Sequence, residues 1–183
     1  EFQPLLTEIA SQKPDVVFAF FAGGGAVKFV KDYDAAGLKK SIPLVGSGFL
    51  TDGTLEAQGA SAQGLITALH YGDNIETPRN TAFRNKFAVA NKVNPDVYAL
   101  QGYDAAQMLA IGLAAVKGDT SKKDALYAAM NKAQIDSPRG KFTLSPQRNP
   151  TQDFYVREVK GNYNVVTGIA VKALADPGRG CKP

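Results

Sequence analysis

Three observations predict that this chain of 183 residues folds as an α/β protein with a doubly wound, mainly parallel sheet. Short apolar stretches of strand length stand at 16–21, 42–45 and 65–69. Between them lie stretches in which apolar residues recur at helical spacing. Connections between parallel strands usually run through such helices, which then cover the faces of the sheet.

The first third of the chain alternates between the two kinds of element. Apolar residues near the N-terminus recur at i, i+3, i+4 and i+7, which predicts a helix that ends at about Gln12. A buried strand at 16–21 leads through a glycine turn into a helix at 24–36, and Gly37 closes that helix in a left-handed conformation. The remaining predictions here are a strand at 42–45, a short helix at 52–58 and a strand at 65–69.

The middle of the chain is predicted to be helical. The polar, turn-rich stretch 70–74 is a candidate linker. Pro78 directly after Thr77 is typical of a helix start. The pair Asn94-Pro95 interrupts the helical pattern, and a long helix with an apolar stripe follows.

Gly118 is predicted to end this long helix, and Ser121 with Asp124 predicts a capping box for the next one. A second polar stretch, 145–152, is a candidate linker because it holds two prolines. The remaining predictions are a strand at 141–144, a hairpin of strands 153–159 and 163–171 about the turn 160–162, and a frayed tail at 176–183.

Composition and motifs exclude several classes of function. The formal net charge of +4 is spread along the chain, so nucleic-acid binding is not expected. One histidine and one cysteine cannot form a His/Cys metal cluster. Gly23 and Gly25 begin a dinucleotide fingerprint, but Lys28 replaces its third glycine, and the sequence has no P-loop. We therefore expect no catalytic site, no cofactor and no bound metal; the lone Cys181 is either a free thiol or paired outside this chain.

Small residues stand where the first two predicted strands end, at 22–26 and 46–48. Ligands of open parallel sheets lie outside the carboxyl ends of the strands. Small residues at that edge let a ligand approach the backbone closely, so we expect the chain to bind a small molecule. The aromatic candidates for a pocket are Tyr98 and Tyr103 at the start of the long helix, and one of Phe20 and Phe21.

Six segments carry a resemblance to a known family. They are FQPLLTEI at the start, PDVVFAFFAGG, AAGL-x-x-x-IPLVGSG, QGYDAAQML, SPRGKFTLS and QDFYVREV. In this order and spacing they resemble the C-terminal half of the type I periplasmic solute-binding proteins of ABC transporters, in the leucine/isoleucine/valine-binding class. The resemblance covers nearly the whole chain.

The resemblance implies parts of two doubly wound α/β lobes that clamp a solute between them. Residues 1–71 and 149–183 would form part of the second lobe, and residues 72–148 part of the first. The fold would be incomplete without the N-terminal half of the same protein, which is therefore an expected partner. A predicted helix that starts at Glu1 without a capping residue agrees with the expectation of a longer protein.

The resemblance also implies a set of site residues. The expected ligand-binding residues are Phe21, Ala22, Gly23, Gly24, Ser47, Gly48, Phe49, Tyr98, Gln101 and Tyr103. The expected hinge residues, which would absorb the motion when the lobes close, are His70, Tyr71, Gly72, Asp73, Asn149 and Pro150.

The implied function is that of the periplasmic solute-binding component of an ABC importer, which docks on a membrane permease. Branched-chain amino-acid binders of this class place an acid near position 48 to hold the ligand's ammonium group, whereas this chain has Gly48. The SPRG and QDFYVREV segments look more like those of members that take up aromatic carboxylates. The implied ligand is thus a small carboxylate, with an aromatic acid favoured over an aliphatic amino acid or amide.

Two alternatives stay open on the sequence. One is a ligand-sensing domain of a receptor built on the same pair of lobes. The other is a nucleotide-dependent α/β enzyme, which is disfavoured because Gly, Ala and Ser occupy the strand ends where an enzyme needs acids or histidine.

Overall fold

The structure is a computed structural model that describes residues 1–180, so Cys181 lies outside the described residues. The chain divides into two compact units. The first unit comprises Glu1–Asn74 and Tyr155–Ala170, and the second comprises Ile75–Phe154 and the chain from Val171 onward. Two of the changes between units lie within a few residues of the predicted lobe boundaries, whereas the chain from Val171 onward, predicted to belong with residues 1–71, groups with the second unit. The assignment of the units to lobes stays a prediction.

The first unit is built on parallel strands joined by helices, as the sequence predicts. Strand β1 (Val17–Ala19) pairs with β2 (Leu44–Ser47), and β2 pairs with β3 (Ile66–Leu69), all in parallel. Strand β5 (Pro150–Lys160) adds to β3 in the antiparallel direction, with Thr67 opposite Arg157. The helices of this unit are α1 (Gln3–Gln12), α2 (Gly23–Ala35) and α3 (Leu55–Gln58), with 3₁₀ turns at Leu38–Lys40, Gly48–Leu50 and Gly59–Ala62.

One hydrophobic cluster holds the first unit together. Leu6 of α1 and Phe29 and Val30 of α2 are buried against Ala19 of β1. Tyr33, also on α2, is fully buried, and its hydroxyl donates to the Ile42 carbonyl at 3.0 Å. Burying side chains of this size typically contributes about 1.5–3 kcal/mol each, so this face of the sheet anchors the unit.

The prediction that 16–21 forms a buried strand is wrong in part. The strand is shorter, and Phe18 is 70% exposed whereas its neighbour Ala19 is buried. Successive side chains of a strand point to opposite faces of the sheet. The described residues cover the face of Ala19, which α1 and α2 pack against, and leave the face of Phe18 uncovered. The apolar residues 16–21 therefore include a strand that is covered on one face only.

The second unit contains helices α4 (Pro78–Asn91), α5 (Val97–Ala115) and α6 (Lys123–Asn131). The predicted start of α4 is confirmed, because the Thr77 hydroxyl accepts from the Asn80 amide at 3.0 Å and Pro78 opens the helix. The predicted break between α4 and α5 is also confirmed. None of the helices among the described residues is both long and apolar enough to span a membrane.

The predicted capping box at Ser121 is wrong. Helix α6 begins after Lys122, and no side chain caps it. The Ser121 hydroxyl instead donates to the Asp119 carboxylate at 2.6 Å. A serine can bond a nearby acid as readily as a helix amide, and the local sequence does not decide between the two.

The predicted linker at 145–152 is a hairpin turn. Strand β4 (Thr143–Leu144) pairs with β5 in the antiparallel direction, and the Ser145 amide donates to the Asn149 carbonyl at 2.9 Å. The second predicted hairpin is confirmed, since β6 (Tyr163–Leu174) pairs with β5. Both β5 and β6 contribute residues to both units.

Candidate functional site

The turn after β1 is open to solvent. Ala22, Gly23 and Gly24 are exposed, and a Cβ atom built on either glycine would meet no atom within 4 Å. Gly23 has φ +54°, a conformation that side chains disfavour. The predicted ligand-binding turn is therefore exposed, and its role in binding stays a prediction.

The segment after β2 is closed by the protein itself. Gly48 is buried, and a Cβ atom there would lie 2.5 Å from Leu69 Cβ and 2.6 Å from Arg157 Nη2. The Ser47 hydroxyl is also buried and has no hydrogen-bond partner among the described residues. Position 48 thus lacks room for any side chain, and the absence of an acid there has a packing cause.

The two neighbouring phenylalanines at the end of β1 have different environments. The Phe21 ring lies 4.7 Å from the Phe29 ring and 5.1 Å from the Phe2 ring, at the edge of the core. The Phe20 ring is 64% exposed and meets the Phe49 ring edge-on at 6.2 Å. Sequence reasoning expected one core and one pocket residue here, and it named Phe21 for the pocket. Phe20 is the more exposed of the two rings, and the place of either ring in a pocket stays a prediction.

The expected ligand-binding residues of the second unit lie at the start of α5. Tyr98 is 46% exposed and Gln101 is exposed. Tyr103 is half-buried, with its ring 5.1 Å from the Phe83 ring, and its hydroxyl accepts from Arg79 Nη1 at 3.4 Å. Their place in a binding site stays a prediction.

The expected hinge residues differ in burial, from three buried residues to the exposed Asn149. His70, Tyr71 and Gly72 are buried at the end of β3, in the first unit. The Asp73 amide donates to the Asn164 carbonyl at 2.9 Å, and Asp73 Oδ2 accepts from the Asn164 amide at 2.6 Å. The other two, Asn149 and Pro150, lie in the β4–β5 hairpin of the second unit.

Arg157 of β5 is a residue that sequence reasoning missed. Its side chain is fully buried and lies 2.7 Å from the Asp52 carboxylate, which is itself 4% exposed. It donates to the carbonyls of Gly48 and Tyr71, at 3.2 and 2.9 Å. The sequence holds a weak signal, because a charged residue within the alternating pattern of a strand is either exposed or paired.

A second buried pair lies in the second unit. Arg139 Nε is 3.1 Å from Asp104 Oδ2, which also accepts from the Ser137 hydroxyl at 2.8 Å. Burial raises the pKa of Asp104 above its usual value, against the lowering effect of Ser137 and Arg139. Burial also lowers the pKa of Arg139. Across residues 1–180, no group of three or more His, Cys, Asp or Glu residues could hold a metal ion.

Residues 1–164 match the sequence profile of a family described as periplasmic binding protein. A curated relative, the Leu/Ile/Val-binding protein homolog 6 of Brucella melitensis, is 33% identical over 167 residues. This match covers 87% of the chain but 42% of the relative, so the chain spans less than half of that protein's length.

Solved structures show the same fold. A solute-binding protein of an ABC transporter from R. palustris, in complex with benzoate, is 52% identical, with a TM-score of 0.95. Another, from Rhodopseudomonas palustris BisB5 in complex with 3,4-dihydroxybenzoic acid, is 30% identical, with a TM-score of 0.87. They match 100% and 97% of this chain, which spans 50% of each of them. These proteins are described as solute-binding proteins.

Proposed function

This chain belongs to the periplasmic binding protein family, and on that premise we propose that it is part of the extracytoplasmic solute-binding component of an ABC importer. Two of the solute-binding proteins with the same fold carry benzoate or a dihydroxybenzoate. The ligand proposed for this protein is accordingly an aromatic carboxylate. A membrane permease is the proposed protein partner.

The aromatic pair of Phe20 and Phe49 carries the choice of ligand. These rings stand at the carboxyl ends of β1 and β2, the sheet edge at which parallel α/β folds bind ligands. A planar ring can pack against the exposed Phe20 ring, and aromatic contacts of this kind contribute about 0.5–1.5 kcal/mol beyond the area they bury. The pair therefore favours a ligand that contains a ring.

Position 48 argues in the same direction. An acid that holds a ligand's ammonium group needs a side chain, and a Cβ atom at Gly48 would collide with Leu69. A free amino acid would lose this ion pair, whereas benzoate has no amine to satisfy. This supports an aromatic acid over an aliphatic amino acid.

The proposed mechanism involves no chemistry by the protein. The solute stabilises a closed state only by binding it more tightly than the open state. The proposed ligand-binding residues of the first unit are Phe21, Ala22, Gly23, Gly24, Ser47, Gly48 and Phe49, with Phe20 added. Those of the second unit are Tyr98, Gln101 and Tyr103.

A thermal-unfolding screen of the whole gene product tests this function. The solutes are benzoate, 4-hydroxybenzoate, leucine, valine and a short aliphatic amide. A solute at about 100 times its dissociation constant stabilises a protein by about 2.7 kcal/mol, which raises the melting temperature by several degrees. We expect a shift with the benzoates alone. A shift with leucine alone would overturn the aromatic ligand, and no shift with any solute would overturn the function.

A further inference from the structure

Arg157 joins two segments of the first unit that are distant in the sequence. One segment is Gly48–Asp52, which follows β2, and the other is Tyr71–Asn74, which follows β3. Arg157 Nη2 donates to the Gly48 carbonyl at 3.2 Å, and Arg157 Nη1 donates to the Tyr71 carbonyl at 2.9 Å. The first segment holds proposed ligand-binding residues, and the second precedes the point at which the chain leaves the unit.

The arginine is held firmly in place. It stands opposite Thr67 in the β3–β5 pairing, and Thr67 Oγ1 accepts from its Nε and Nη2 at 3.2 and 3.0 Å. Its charge is balanced by the Asp52 carboxylate at 2.7 Å. Burying a charge is unfavourable unless it is paired and hydrogen-bonded, and these contacts meet that requirement.

A residue that only filled space here would need no charge. The guanidinium group is planar and has five N–H donors, so it can bond carbonyls of two segments at once. A lysine ammonium carries its three N–H donors on one atom and lacks this rigid planar fork. An arginine is therefore suited to hold the carbonyls of Gly48 and Tyr71 in a fixed position relative to each other.

Each segment has a glycine at which a side chain would collide, with Arg157 at the first segment and with Val166 at the second. A Cβ atom at Gly48 would lie 2.6 Å from Arg157 Nη2. A Cβ atom at Gly72 would lie 2.4 Å from Val166 Cγ2 and 3.5 Å from Arg157 Cδ. Glycine at both positions thus lets the backbone approach the arginine and its surroundings.

A second connection runs through Asn164 of β6. Its Oδ1 accepts from the Thr51 hydroxyl at 2.6 Å, and its backbone amide donates to the Asp73 carboxylate at 2.6 Å. The segment Gly48–Asp52 and the segment Tyr71–Asn74 are therefore joined twice, once by Arg157 and once by Asn164.

We propose that Arg157 is a positioning residue for the binding site: it makes the Gly48–Asp52 segment and the Tyr71–Asn74 segment move as one body. The inference rests on the proposed function for its effect on a ligand. The joint movement itself does not depend on which solute is bound.

Amide hydrogen exchange of the whole gene product without ligand tests the joint movement. The reporters are the amides of Thr51 and Asp52, which donate to the Gly48 carbonyl, and of Asp73, which donates to Asn164. In the unmodified protein we expect the amides of both segments to exchange with one common opening rate. In Arg157→Lys we expect them to exchange faster and at different rates in the two segments, while amides of β1 and β2 keep their protection. Unchanged exchange, a common rate that persists in the variant, or an equal increase throughout the unit would overturn the proposal.

Measuring the affinity for benzoate distinguishes a positioning role of Arg157 from a general loss of protein stability. We expect Arg157→Lys to raise the dissociation constant for benzoate by at least about tenfold. The control is Leu6→Ala, a substitution of a buried core residue on α1, which lowers stability from outside both segments. Equal affinity of Arg157→Lys and the unmodified protein, or an equal loss in Leu6→Ala, would overturn the positioning role. Absence of benzoate binding by the unmodified protein would overturn the proposed ligand instead, and the exchange experiment would then decide the positioning role alone.

Discussion

Phe20 and Phe49 meet edge-on, with their ring centroids 6.2 Å apart and their planes inclined at 71°. One follows β1 and the other follows β2, so the parallel pairing of these strands brings the rings to the same edge of the sheet. This contact, between an exposed ring and the segment that holds Gly48, is the observation on which we base the proposal of a planar aromatic ligand.

The first prediction separates the two neighbouring phenylalanines. Phe20→Leu should weaken benzoate binding about fivefold to tenfold, because an aromatic contact is worth about 1 kcal/mol, and should leave stability nearly unchanged. Phe21→Leu should lower the free energy of unfolding by about 1 kcal/mol and leave affinity nearly unchanged, because its ring packs on Phe2 and Phe29. Titration calorimetry and urea unfolding measure the two quantities. The reverse pattern would assign Phe21, and not Phe20, to the binding site.

The second prediction concerns the space at Gly48. Gly48→Ala should lower the free energy of unfolding by about 1–3 kcal/mol, because its Cβ would lie 2.5 Å from Leu69 Cβ, which cannot rotate away. Gly24→Ala is the matched control, since nothing lies within 4 Å of a Cβ atom there. Its stability should change by less than about 0.5 kcal/mol. Equal effects of the two substitutions on urea unfolding would contradict the packing explanation for Gly48.

The third prediction compares two hydroxyls near helix starts. Thr77→Ala should cost about 1 kcal/mol, because the Thr77 hydroxyl caps α4 by accepting from the Asn80 amide. Ser121→Ala should cost less than about 0.5 kcal/mol, because its hydroxyl bonds Asp119 on the surface and caps no helix. Urea unfolding again provides the measurement. A larger loss of unfolding free energy for Ser121→Ala than for Thr77→Ala would indicate that Ser121 caps α6 after all.

The fourth prediction is a pH dependence that comes from Asp104. Burial raises the pKa of this carboxyl above its usual 3.8, so between these two values the folded protein holds the proton more tightly than the unfolded chain. The stability contributed by this group is therefore complete below pH 3.8 and is lost as the pH rises through the raised pKa.

Asp104→Asn has no proton to lose at this position. We expect the free energy of unfolding of the unmodified protein, relative to that of Asp104→Asn, to fall as the pH rises through this window. Urea unfolding of both proteins at a series of pH values measures the difference. Parallel pH profiles would contradict the raised pKa.

The parallel α/β organisation of the first unit follows from the sequence alone. The predicted helix to about Gln12, the helix at 24–36 and the strand at 65–69 all correspond to elements of the structure. These elements are determined by local periodicity and by glycine and proline at their ends, which depend on few neighbours. The ordered motifs also identify the family, which the sequence profile confirms over residues 1–164.

Tertiary structure decided which groups share each environment. Phe20 and Phe21 are equivalent in the sequence, and only the fold packs one ring on Phe2 and Phe29 and leaves the other exposed beside Phe49. The sequence shows only that position 48 lacks an acid. The structure shows that its neighbours Leu69 and Arg157 leave no room for a side chain there. The contacts of Arg157 with Gly48, Asp52 and Tyr71 join residues that lie far apart along the chain. Local patterns do not record such contacts, because they form only when separate strands pack side by side.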